Sequence, residues 1–109
     1  MRMSILTLTQ ENNGNVIELS VGDTFFIHLP ENPTTGYQWA IDDMTSQNVT
    51  LRNSSYASTT ATGIGGGGQR TWVFETTRQG VAHLRLKLWR AWEGDSSIVD
   101  VYTLTLKSS

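Results

Sequence analysis

The residues of this chain that could do chemistry are two histidines, an adjacent pair of aspartates, its serines and a run of glycines. His28 and His83 each fall inside a strand-like stretch, far apart in sequence. A serine nucleophile would need one of them beside it and a carboxylate to orient the ring, and no serine is framed by a strand-turn-helix elbow. Cysteine is absent, which removes thiol nucleophiles, thiolate metal sites and disulfides together. Asp42 and Asp43 are expected in a turn after the strand containing Trp39. In extended backbone such neighbours point apart, a poor arrangement for cooperative acid–base work. No histidine and carboxylate cluster has metal-ligand spacing. The glycines Gly63, Gly65, Gly66, Gly67 and Gly68 neither lead into Lys-Ser or Lys-Thr nor open a helix, so they make no phosphate-binding loop. These exclusions imply a binding protein rather than an enzyme, with no metal and no cofactor.

Recognition by loops remains. Asn32, Pro33, Thr34, Thr35, Gly36 and Tyr37 form a constrained polar turn between two strand-forming segments. Proline fixes φ and holds the preceding asparagine extended, while glycine permits φ > 0. A loop that is already rigid loses little entropy on binding, although the same residue types also make ordinary connections. A second special loop, the glycine run at 63–68, precedes Thr71-Trp72-Val73-Phe74. A third, Arg90-Ala91-Trp92-Glu93-Gly94-Asp95, follows a strand over 82–88.

The elements that must position these loops are strands. Apolar residues alternate at Leu6 and Leu8, at Ile17, Leu19 and Val21, and at Phe25, Ile27 and Leu29. Alternation returns at Trp72 and Phe74, at Ala82, Leu84, Leu86 and Leu88, and at Tyr102, Leu104 and Leu106. His83, Arg85, Lys87 and Trp89 take the opposite face of the penultimate strand, as in a half-buried antiparallel sheet. No segment carries an i, i+3, i+4, i+7 apolar stripe. Turn residues at 12–15, 21–23, 79–80 and 93–95 separate the strands. In 109 residues this predicts one domain spanning 1–109. Its fold class is all-β, an immunoglobulin-like antiparallel β-sandwich of about seven to eight short strands. Residues 54–68, rich in Ser, Thr, Ala and Gly, read as one long mobile loop.

The three loops, in this order, resemble the chagasin family of cysteine peptidase inhibitors. That family carries an Asn-Pro-Thr-Thr-Gly-aromatic loop, a Gly-x-Gly-Gly loop and an Arg-Pro-Trp loop. The resemblance extends to Val21-Gly22-Asp23, to Leu29-Pro30 and to the Gly80 turn, and so spans most of the chain. It implies a reversible, tight-binding inhibitor of papain-family (cathepsin L type) cysteine peptidases, acting as a monomer through loops 32–37, 63–70 and 90–95. By this resemblance residues 32–37 enter the catalytic centre with Thr34 nearest the peptidase cysteine. The glycines, in the register 63–66 or as Gly65, Gly66, Gly67 and Gly68, lie along the unprimed side. Arg90 and Trp92 face the primed side. Ala91 stands where the family has proline, which predicts a less rigid third loop.

An alternative from another class is a carbohydrate- or ligand-binding sandwich, since four tryptophans are present and Trp89 with Trp92 could form a stacking platform. A net charge of −2 argues against nucleic acid, and no apolar run approaches the roughly 20 residues of a membrane span. The N-terminal residues read as a first strand rather than a signal peptide, and the compartment stays open. Asn48-Val49-Thr50 and Asn53-Ser54-Ser55 match the N-glycosylation pattern.

Overall fold

The computed structural model describes residues 5–45, 48–58 and 67–109, apart from the side chain of Thr45. Among the described residues are eight strands: β1 (Ile5–Leu8), β2 (Val16–Leu19), β3 (Thr24–Glu31), β4 (Gln38–Thr45), β5 (Val49–Ser58), β6 (Gly68–Thr76), β7 (Gly80–Trp89) and β8 (Asp100–Ser108). They form two four-stranded sheets, ordered β1-β3-β6-β5 and β2-β8-β7-β4. Three short 3-10 turns lie in the loops that concern the site or its neighbours, at Pro33–Thr35, Ala91–Glu93 and Asp95–Ser97.

The predicted alternation accounts for the core. Phe25, Ile27 and Leu29 point inward from β3 with no measurable exposure and meet Trp72 and Phe74 of β6. Phe25 and Phe74 stack with ring centroids 5.2 Å apart. From the second sheet come Ala82, Leu84, Leu86, Tyr102, Leu104 and Leu106. Each of the large apolar side chains among them contributes roughly 1.5–3 kcal/mol of burial, which is what drives the two sheets together. The tyrosine hydroxyl of Tyr102 donates to the Thr9 carbonyl at 2.9 Å, and burial pushes its pKa up to about 12.

Three local readings are corrected. The pairing is mainly antiparallel, but the short edge strands β1 and β2 run parallel to β3 and β8. Residues 54–58 are not loop: they continue β5, paired to β6 from Ser54↔Trp72 to Ser58↔Gly68. An edge strand with polar side chains lacks the apolar alternation by which a sequence announces a strand. Asp42 and Asp43 lie within β4, where the register shifts between Ile41 and Asp43, not in a turn after it. Asp42 pairs with Arg85 at 2.8 Å and with Lys87 at 3.1 Å. Lys87 in particular stabilises the ionised form and holds the carboxyl below its ordinary value of 3.8.

The connections set the geometry of the site. Strands β5 and β6 belong to the first sheet, β7 and β8 to the second. The β3–β4 connection, residues 32–37, crosses from one sheet to the other. The crossing loop is bonded to the third through Arg90, and an open cleft lies between it and Gly67 and Gly68.

Candidate functional site

The first loop is built from its own side chains. Asn32 is extended (φ −118°, ψ 99°) and caps the 3-10 turn. Its Oδ1 accepts from the Thr34 amide at 3.1 Å and from the Thr34 hydroxyl at 2.6 Å. Thr35 Oγ1 donates back to the Asn32 carbonyl at 2.7 Å and accepts from the Tyr37 amide at 3.3 Å. Pro33 occupies the first position of the turn, where a missing amide costs nothing. Gly36 closes it at φ 81°, a left-handed conformation that a side chain would resist. Thr34 is left exposed at the apex of the turn.

The third loop leans on the first. Arg90 directs Nε and Nη2 to the Thr35 carbonyl, at 3.3 and 3.1 Å. Its guanidinium lies 4.4 Å from the Tyr37 ring centroid, and Nη1 reaches Glu93 at 3.3 Å. Trp92 is 72% exposed. Its ring edge nonetheless abuts Gly36, where an added Cβ would come within 2.8 Å of Cη2. Just past the loop, the buried Ser97 hydroxyl accepts from the Arg90 amide at 2.9 Å and lies within reach of the Gly94 and Arg90 carbonyls, at 2.6 and 3.0 Å. Lys87 reaches over from β7 to Asp95 at 3.0 Å.

Of the glycine run, Gly63, Gly65 and Gly66 lie outside the described residues. Gly67 leads into β6, and Gly68 is its first residue, in register with Glu31 of β3 and Ser58 of β5. A side chain at Gly68 would collide with the Tyr56 hydroxyl and come within 2.7 Å of the Ala57 carbonyl oxygen. This glycine is therefore required by packing within the fold. An open cleft of about 290 Å³ separates Gly67 and Gly68 from Thr35 and Tyr37, and Leu88 and Glu31 also line it.

Four residues that organise this end carry no motif. Glu31, Arg70, Tyr56 and Ser97 act through partners that are mostly distant in sequence, so no local pattern announces them; Ser97 lies just past the third loop. Glu31 is buried and takes Arg70 in a two-point ion pair, 2.7 and 3.3 Å, with Trp39 N–H at 2.7 Å. Trp39 also donates its indole N–H to the Pro30 carbonyl at 2.9 Å.

The four tryptophans are placed very differently. Trp39 and Trp72 are buried. The Trp89 ring is covered by the Lys87 ammonium at 3.5 Å from its centroid, which leaves Trp92 as the exposed one. Of the two glycosylation patterns, Asn48 is buried with its amide on Ser108 Oγ at 3.1 Å, while Asn53 is exposed. Among the described residues no group of histidine and carboxylate could hold a metal ion.

Fold and site thus define an all-β sandwich that presents a braced pair of loops at one end. The chagasin family of peptidase inhibitors, I42, matches residues 18–106, and the chain belongs to that family. It is a peptidase inhibitor and not an enzyme. Chagasin of Trypanosoma cruzi is 28% identical over 107 residues, covering 94% of this chain and 96% of its own. The crystal structure of the cysteine protease inhibitor EhICP2 from Entamoeba histolytica superposes with a TM-score of 0.89 at 22% identity, over 100% of this chain and 99% of that one. PbICP-C, solved in complex with falcipain-2, has the same fold, with a TM-score of 0.67 at 16% identity over 99% and 92%.

Proposed function

We propose that this chain inhibits papain-like cysteine peptidases reversibly, by filling the active-site cleft with the end of the sandwich where the loops meet. The central element is loop 32–37, with Thr34 nearest the peptidase cysteine. Its own hydrogen bonds hold the backbone in a 3-10 turn rather than the extended form of a substrate. No scissile bond is then offered in attack geometry, and a misplacement of about 1 Å can slow reaction ~100-fold.

The observation that carries this reading is the fastening of the third loop to the first. Arg90 bonded to the Thr35 carbonyl, and Trp92 packed on Gly36, make the exposed Thr34 and Trp92 parts of one projection. Trp92 supplies the partner-facing aromatic surface, the residue type that most often dominates binding energy. Arg90, engaged within the protein, holds that surface in place. The glycine segment 63–70 lies along the unprimed side, its recognition falling on Gly65, Gly66 and Gly67, since Gly68 is paired on both sides. Chagasin, EhICP2 and the falcipain-2 complex of PbICP-C support papain-like enzymes as the target class.

The test is a titration of papain with the purified protein on a small fluorogenic substrate. Competitive, reversible inhibition is expected, weakened at least about 100-fold in Thr34→Ala/Trp92→Ala if each side chain is a hot spot. Absence of inhibition across several papain-family enzymes at micromolar protein contradicts the proposal.

A further inference from the structure

Glu31 is the one buried acidic side chain among the described residues, with 1% of its side chain exposed. Taking an ionised carboxylate out of water is costly, and an apolar pair of similar volume commonly holds a fold as well. Its partners indicate another use. Glu31 ends β3 in the first sheet, Trp39 lies in β4 of the second, and Arg70 lies in β6 two residues beyond Gly68. Oε1 accepts from the Trp39 amide at 2.7 Å and from Arg70 Nε at 3.3 Å, while Oε2 accepts from Arg70 Nη2 at 2.7 Å. One carboxylate therefore joins both stems of loop 32–37 across the two sheets. It joins them also to the strand that issues from the glycine segment. Arg70 is in turn set 5.6 Å from the Tyr56 ring centroid, and Tyr56 covers Gly68.

We infer that Glu31, acting with Arg70, is a positioning residue for inhibition, setting the separation of loop 32–37 from the start of β6. This rests on the inhibitor reading above. A two-point guanidinium–carboxylate pair suits the task because its planar fork restricts angle as well as distance. The apolar alternative would hold the sheets together without that restriction. The third loop has its own supports in Ser97, Lys87 and Arg90.

The test compares wild type, Glu31→Gln and the double variant Glu31→Gln/Arg70→Met for both thermal stability and papain inhibition. Glutamine keeps an acceptor for the Trp39 amide but breaks the charge pair. The single variant should melt lower and inhibit at least about tenfold more weakly, since a recognition site loosened by a fraction of an ångström loses much of its effect. The double variant removes the stranded guanidinium, so its melting temperature should return toward wild type while the inhibition constant stays raised. That split is the signature of positioning. An inhibition constant that recovers together with melting temperature overturns the inference, as does wild-type inhibition by a folded single variant. If the single variant does not fold, the double variant decides alone. A wild type that does not inhibit overturns the inhibitor reading itself, and the role of Glu31 with it.

Discussion

Loops 32–37 and 90–95 start from the same backbone plan. Each opens on an extended residue, Asn32 (φ −118°, ψ 99°) or Arg90 (φ −101°, ψ 110°), enters a 3-10 turn and meets a positive-φ glycine. The first is finished with a proline, an asparagine cap and a threonine clasp. The third has Ala91 in the proline position and no capping bond from Arg90's side chain. It borrows its order instead, from Ser97, from Lys87 and from the first loop itself. The difference teaches that one loop is shaped by its own residues and the other by its neighbours. The first should therefore keep its form under perturbations that loosen the third.

Glycine substitution gives the largest contrast. Gly36→Ala meets both a left-handed φ of 81° and the Trp92 ring. It should cost about 1–3 kcal/mol of stability, displace Trp92, and weaken papain inhibition at least ~100-fold. Gly94→Ala has open space around it, but its φ of 76° and ψ of −168° lie in a region essentially confined to glycine. A similar loss of stability is expected, with inhibition reduced only about tenfold, because loop 32–37 is untouched. Equal losses of inhibition from the two would break the comparison.

Removal of the caps comes next. Ser97→Ala strands the Arg90 amide and should destabilise by about 1–3 kcal/mol. Asn32→Ala, at an exposed cap, should lose about 0.5–2 kcal/mol. Both are read from chemical denaturation. Ala91→Pro should do the reverse. Position 91 is the first of its turn and follows an extended residue, the setting that proline accepts. A gain of about 0.4–1 kcal/mol is expected, with slower dissociation from papain.

The smallest effect is on alkaline stability. Burial lowers the pKa of Lys87, but its hydrogen bonds to Asp95 and Asp42 outweigh this and hold it above 10.5. A raised folded-state pKa contributes stability that is full below pH 10.5 and is lost as pH climbs past the folded value. Tyr102, pushed to about 12 by burial, favours the fold below pH 10 and loses that contribution between 10 and 12. The fall in melting temperature over this range should be shallower in Tyr102→Phe, and the remainder should vanish on Lys87→Met.

Much of the fold was legible because alternating apolar residues in β3, β6, β7 and β8 face one core. The first loop was legible as well, because its bonds connect residues two or three apart. The polar half of β5 was not, since its order comes from pairing to β6 rather than from burial. Nor was the role of Arg90, whose guanidinium finds Thr35 across 55 residues. Glu31 and Arg70, 39 residues apart, look like surface charges until the two strands are laid side by side.

The most direct test of the account is a hydrogen-exchange footprint of the inhibitor on papain with its cysteine blocked. Slowed exchange is expected in peptides covering 32–37 and 90–95, with no change at the Arg78–Gly80 turn. Protection confined to that turn or to the β5 edge, with loops 32–37 and 90–95 unchanged, would contradict it.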